Sequence, residues 1–347
     1  MSGIKKAPQK KTINLALQGG GSHGAFTWGV LDAILEDGRF DIEGISATSA
    51  GAMNAAVLAY GKQIGGNKGA REALDLFWRK VSESGAFYRS FYQNPISRYL
   101  NLQDNPLVNM AEELLGTLSP YQFNPLNINP LKDILEEIID FKDIHVCECI
   151  KLFITATNVR TGNARVFQNE EVTLDVLLAA SCLPHVFQAT EIDGEAYWDG
   201  GYMGNPSLWP LFYHAHCRNI LLVHINPITR PGIPKTIVEI ENRLNEITFN
   251  SALLKELRAI DFVKKLLHED MLRGEHQSKY KDILLYAIRT EDDLSALSAA
   301  SKSNTDWSFL LELKDKGRTA AKKWLKAHYK DVGKKSSVDI TKDYLSL

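Results

Sequence analysis

Short, mainly apolar runs alternate along the 347-residue chain with longer stretches in which apolar residues recur every three or four positions. The runs fit strands buried on both faces, and the three-to-four spacing fits helices with one packed side. Ile13 to Leu17 and Ile42 to Ile45 read as such strands. Each leads through a small-residue loop into a helix-forming stretch, Ala25 to Leu35 and Ala52 to Tyr60. Consecutive units of this kind place their strands as parallel neighbours, so both loops are expected on the same carboxyl edge of one sheet. Further on, Ile150 to Ala156 and Ala164 to Gln168 read as strands joined by a turn at Thr161-Gly162-Asn163. Leu174 to Ala180 reads as a helix ended by Pro184, and Ile220 to Ile225 as another buried strand.

This order predicts an α/β fold of three layers, α/β/α, with a mainly parallel central sheet and a helical C-terminal part. After Pro231 and Pro234 the pattern turns helical from Lys235 to about Arg273. Ile237, Ile240, Leu244 and Ile247, then Leu253, Leu257, Ile260, Val263, Leu266 and Leu267, form a stripe read as a packing face rather than a membrane-binding one. The expected division is a basic arm at 1–12, an α/β domain at 13–225 and a helical part at 226–347 packing on it. Between 82 and 129 the texture changes: Phe87, Tyr88, Phe91, Tyr92, Tyr99, Tyr121 and Phe123 lie among Pro95, Pro106, Pro120 and Pro125. Such an insertion is either a cap over a site or ordinary packing at a sheet edge.

A hydrophobic content of 44% supplies a full core, and a net charge of −2 gives no sign of nucleic-acid binding. Basic residues gather at both ends, where they are read as solvated termini or as a peripheral contact with anionic membrane. No apolar h-region follows the N-terminal lysines, no window approaches a membrane span, and Ser2 fails the myristoylation pattern. The expectation is a cytoplasmic protein that reaches lipid from one side. Cys147, Cys149, Cys182 and Cys217 form no framework and no zinc spacing, so they are expected as reduced thiols.

Three segments carry candidate chemistry. Ala47-Thr48-Ser49-Ala50-Gly51 follows the second strand and opens the second helix, a setting that lifts a hydroxyl clear of a sheet and aims helix N–H groups at it. Gly19-Gly20-Gly21-Ser22-His23-Gly24 follows the first strand and presents backbone donors of the kind that hold an oxyanion. Tyr197-Trp198-Asp199-Gly200-Gly201 ends a short aromatic strand on a carboxylate, with two glycines that keep side chains away from it.

Together these segments resemble the motif set of the patatin-like phospholipase family, over roughly Ile13 to Ile225. The resemblance implies Ser49 as nucleophile, Asp199 as the general base of a Ser-Asp dyad, and the Gly19 to Gly24 loop as oxyanion hole. Ala47, Gly51, Gly200 and Gly201 then support the turns. It implies hydrolysis of glycerophospholipid or other fatty-acyl esters through an acyl-enzyme, with no metal or other cofactor. Two positions depart from the family pattern. Ala47 stands where the elbow usually has glycine, and His23 stands where many relatives have arginine, which removes a fixed positive charge from the loop.

Other readings of the same residues are weaker. The glycine loop also fits a dinucleotide fingerprint, but the second strand ends in Ala47-Thr48-Ser49 and not in the acidic residue a ribose needs, and no P-loop lysine follows. His224 would complete a Ser-Asp-His order, yet it sits inside an apolar run and reads as a core histidine. His214 and His216, two apart, do not share a helix face and lack partner ligands. A non-catalytic lipid-binding relative is the alternative of a different class. The oligomeric state is not legible in the sequence.

Overall fold

The structure is a computed structural model and describes residues 10–85, 118–145, 149–269, 271–272, 274–277, 279–290 and 299–346. The aromatic stretch expected as a cap or as packing lies mostly outside them, as do the first nine residues of the basic arm.

Eight strands form one sheet: β1 (Lys11–Leu17), β2 (Phe40–Ala47), β3 (Lys151–Asn158), β4 (Ala164–Gln168), β5 (Thr190–Ile192), β6 (Glu195–Asp199), β7 (Asn219–His224) and β8 (Leu284–Arg289). Their order is β5-β6-β3-β2-β1-β7-β8, with β4 also paired to β3. The centre and the β8 side are parallel, as the two strand-loop-helix units require, and β1 and β2 are direct neighbours. The β3/β4, β3/β6 and β5/β6 pairs are antiparallel.

Strand alternation splits the core into two layers. Leu15, Leu17, Leu221, Val223, Tyr286 and Ile288 point into one, and Ala16, Ile220, Leu222 and Leu285 into the other. The first layer is covered by α1 (Gly24–Asp37), α2 (Ala50–Glu83), α3 (Pro130–Ile138), α4 (Leu174–Ala180) and, from the far end of the chain, α7 (Trp307–His328). The second is covered by α5 (Trp209–His214) and by α6 (Ile237–His268), whose Leu253, Leu257 and Ile260 are buried. Both faces being covered explains why the central strands read as apolar runs with no polar side. The described residues of the 226–347 segment are mainly helical and also contribute the edge strand β8.

Close approaches of backbone fix the helix layer. A Cβ on Gly29 of α1 would lie 2.7 Å from the Lys314 carbonyl carbon, and one on Gly317 of α7 would lie 2.9 Å from that of Phe26. Asp32, buried in α1, pairs with Arg71 of α2 and Arg318 of α7. α2 is broken at Gly65 and at Gly66, whose φ of +61° suits glycine.

Two expectations are corrected. The first half of the α6 stripe is not packed: Ile237, Ile240, Leu244 and Ile247 are 72%, 39%, 57% and 50% exposed. Periodicity shows that a helix has an apolar side, not that anything covers it, and only the later part of α6 lies under the sheet. Cys149 is disulfide-bonded, whereas Cys182 and Cys217 are free thiols as expected.

Candidate active site

Leu17 and Ala47 pair at the ends of β1 and β2, so the loops that follow leave the sheet side by side. Ser49, two residues past β2, has φ 54° and ψ −128°, a conformation that costs a non-glycine residue on the order of 1–3 kcal/mol. Its surroundings hold it there. The Ser49 amide donates to the Ala180 carbonyl at 3.0 Å, and Thr48 Oγ1 donates to the Gly204 carbonyl at 2.7 Å. Gly51 lies so close to β1 that a Cβ there would be 2.8 Å from the Gln18 carbonyl oxygen. Ala47 is fully buried at the position where glycine is usual, and the elbow closes with it in place. The Ser49 hydroxyl therefore stands at the positive end of α2.

The glycine loop runs directly past this hydroxyl: a Cβ on Gly19 would lie 2.5 Å from Ser49 Cβ and 3.3 Å from its Oγ. Gly19 is clamped from behind, its amide donating to Asn205 Oδ1 at 2.6 Å and its carbonyl accepting from Asn226 Nδ2 at 2.7 Å. Gln18 completes this buried amide network, its Oε1 accepting from the Ile225 and Asn226 amides and its Nε2 donating to the Asn205 carbonyl.

These bonds narrow the set of oxyanion donors. The Gly19 amide is used by Asn205, the His23 amide by the Gly20 carbonyl, and the Gly24 amide by the Gly21 and Ser22 carbonyls. The Gly20 and Gly21 amides have no acceptor among the described residues. Gly21, with φ +57°, is the one glycine of the loop in the left-handed region. The His23 side chain is buried against Ser301, Nε2 lying 2.7 Å from its Oγ, and burial pushes its pKa down to about 3. It holds the loop to the C-terminal segment and does not line the pocket.

Asp199 ends β6, fully buried, with Oδ1 accepting from the Gly201 amide at 2.7 Å. Burial pushes its pKa up to about 6, against the pull of the Gly201 amide, the Ser49 hydroxyl and the charge of Lys302. Oδ2 has no hydrogen bond of regular geometry, although the Ser49 side chain is near enough to favour the carboxylate. Alignment of this kind commonly tightens when substrate is bound. Gly200 and Gly201 are needed for closeness: a Cβ on Gly201 would lie 2.6 Å from the Phe249 ring and 3.0 Å from Asp199 Oδ1.

Ser49 opens on a cavity of about 140 Å³ with apolar walls from Met53, Phe77, Trp78 and Val81 of α2 and Leu183 and Phe187 beyond α4. Gly21, Lys302, Ser303 and Thr305 close the other side, so the C-terminal segment takes part in the site. The sequence does not single out Gln18, Asn205, Asn226 or Lys302. Gln18 adjoins the glycine loop, but nothing local marks the other three. His224 is buried, hydrogen-bonded to Asn250 Oδ1 at 3.4 Å and tilted against Tyr344, with burial lowering its pKa to about 4. None of the hydrogen bonds among the described residues joins a histidine to Ser49 or Asp199. No group of three or more potential metal-ligating side chains occurs among the described residues.

A strained serine elbow, a glycine loop against it and a buried aspartate at a Gly-Gly turn are thus gathered on one sheet edge. The family model for patatin-like phospholipases matches residues 15–212, more than half of the chain. The chain belongs to the patatin-like phospholipase family. It is accordingly a lipid hydrolase of the phospholipase type. No curated protein matches it.

Among solved structures the chain is similar to VipD from Legionella pneumophila, at 14% identity and a TM-score of 0.37, over 98% of this chain and 73% of that one. It is also similar to ExoU of the Pseudomonas aeruginosa type III secretion system, solved with SpcU. The heterodimeric complex matches at 18% identity and a TM-score of 0.33, over 94% of this chain and 63% of that one. The full-length complex matches at 14% and 0.29, over 90% and 53%. The chain thus spans less than two thirds of the ExoU chains, and similarity at this level carries no functional conclusion. No helix among the described residues is long and apolar enough to cross a membrane.

Proposed function

We propose that this patatin-like protein is a serine acyl hydrolase that cleaves glycerophospholipid or related fatty-acyl esters through a Ser49–Asp199 dyad. The observation that carries this reading is the strained Ser49 beside a fully buried Asp199 whose pKa is raised to about 6. A carboxylate with that pKa is ionised at neutral pH yet a far better proton acceptor than a solvated one. Asp199 takes the Ser49 proton as Oγ attacks the ester carbonyl, and the Gly20 and Gly21 amides receive the oxyanion. The tetrahedral state expels the alcohol, which leaves with the proton from Asp199 and gives an acyl-enzyme on Ser49. Asp199 then activates water to release the fatty acid. The apolar walls on α2 receive the acyl chain. No step uses a metal, so EDTA leaves turnover unchanged.

The test is intact-mass analysis after exposure to a lipid-like fluorophosphonate, with Ser49→Ala and Asp199→Asn alongside. A single adduct is expected on the wild type, none on Ser49→Ala, and one formed at least 100-fold more slowly on Asp199→Asn. A folded wild type that takes no adduct, or an adduct that survives Ser49→Ala, overturns the proposal.

A further inference from the structure

The family position that often carries a loop arginine holds His23 here, a buried and uncharged group. A different cation has come to the same place from the other end of the chain. Lys302, in the short turn Ala299–Ser303, carries the one charged side chain among the described residues lining the Ser49 cavity. Its main chain packs on Gly21, where an added Cβ would be 3.3 Å from the Lys302 carbonyl carbon. Its ammonium is held by two neutral oxygens, Asn226 Oδ1 at 2.9 Å and Asn245 Oδ1 at 3.1 Å, and makes no salt bridge with a carboxylate among the described residues. The nearby carboxylate that would quench it, Glu246, is already paired with Arg230 and Arg243. An ammonium has three N–H donors, and two are engaged by the amides. What is left is a charge and a third donor at a pocket whose other walls are uncharged, apolar along α2 and hydroxyl-bearing at Ser22, Ser181, Ser303 and Thr305.

We propose that Lys302 is the substrate-specificity residue of this site, binding the phosphate of a glycerophospholipid whose acyl ester lies at Ser49. This rests on the acyl-hydrolase reading above. The chemistry fits: the phosphate of a glycerophospholipid is only a few bonds from the sn-2 carbonyl, it carries a full negative charge, and it accepts hydrogen bonds strongly. A neutral acylglycerol offers the same ester and acyl chains without that charge. Lys302 therefore discriminates between the two and does not enter the bond-breaking steps. The charged groups facing it are Asp199, Glu246 and Arg230, and the titratable but neutral His23 lies beside them. Burial, the largest influence, lowers its pKa to about 8, so the preference belongs to neutral pH.

The experiment uses the full chain and compares phosphatidylcholine with diacylglycerol of the same acyl chains in neutral detergent micelles, for wild type, Lys302→Met and Lys302→Arg. A charge-assisted hydrogen bond is worth roughly 10-fold to 100-fold in kcat/KM. That loss is expected for Lys302→Met on phosphatidylcholine, against less than about 3-fold on diacylglycerol, with Lys302→Arg restoring most of it. In the wild type the ratio of the two rates falls as the pH rises through about 8. Equal losses on both substrates overturn the proposal, because they make Lys302 a strut that holds Gly19 through Asn226. An unchanged ratio with wild-type rates overturns it as well. A wild type that turns over neither ester overturns the acyl-hydrolase reading and this proposal together, an outcome distinct from the other two.

Discussion

At the scale of single residues, Asp199 combines two demands that oppose each other. A base must be ionised to work, and burial in this position penalises the ion. Its pKa of about 6 predicts that kcat/KM rises with pH through about 6 and then levels, read from a pH profile on an uncharged ester. A profile already flat at pH 5 would remove Asp199 as the base. The same shift has a cost in stability. With the folded-state value raised above the unfolded 3.8, the neutral form is the one the fold favours. That contribution is fully present below about pH 3.8 and is lost as the pH rises through about 6. Asp199→Asn is therefore expected to be more stable than wild type at pH 8, by up to about 3 kcal/mol, and the gain shrinks as the pH falls toward 5. Denaturant melts at the two pH values measure it. Gly21 is a second such residue, with φ +57° and the Lys302 main chain against it. Gly21→Ala keeps the amide but sets a methyl at positive φ against the Lys302 main chain. It is therefore expected to displace the oxyanion donor and lower kcat by about 100-fold, with a stability cost of about 1–3 kcal/mol read from denaturant melts.

Among the secondary-structure elements, the crossing of α1 and α7 depends on two glycines that touch backbone across the interface. A methyl on Gly29 or on Gly317 meets main-chain atoms that cannot rotate away, so Gly29→Ala is expected to destabilise by at least about 1–3 kcal/mol. Gly65→Ala, with nothing within 4 Å of its Cβ, is the matched control and should stay within about 0.5 kcal/mol. Chemical denaturation of both variants decides this. The sequence predicted the elements whose pattern is self-contained. The first two strands and β3 agree with the sequence pattern to within two residues at each end, and β4 and α4 agree at both ends, because each carries its own run or turn. It did not reveal β8, whose Leu284 to Arg289 run becomes a strand by pairing along β7 after a long helical stretch. Nor could it tell the exposed first half of α6 from the buried second half, since both have the same spacing and differ only in what lies opposite. The site divides in the same way. Ser49, the glycine loop and Asp199 are marked by neighbours in sequence, whereas Asn205, Asn226 and Lys302 reach the site only through the fold.

For the whole molecule, the residues matched by the family model end at 212, but the folded unit does not. Elements after β7 close what the earlier part leaves open. Leu253, Leu257 and Ile260 of α6 cover one sheet face, Leu310, Leu313, Trp324 and Leu325 of α7 cover α1 and the other, and the turn at Lys302 walls the Ser49 cavity. Burying a large apolar side chain contributes roughly 1.5–3 kcal/mol, so these seven residues alone amount to more than about 10 kcal/mol. That is as large as the entire net stability of an ordinary domain, which runs to about 5–15 kcal/mol. A chain cut after Ile225 would keep Ser49, Asp199 and every motif of the family. It is nevertheless expected to show no cooperative thermal transition, to bind a hydrophobic dye, and to take no fluorophosphonate adduct. The full chain should melt in one step, because α6, α7 and the sheet share their cores. If the fragment melts cooperatively and reacts at Ser49, the C-terminal part is an accessory and not a wall of the site. If it is molten, the elbow strain at Ser49 has lost the packing that sustains it, and the catalytic unit extends well past the family motifs.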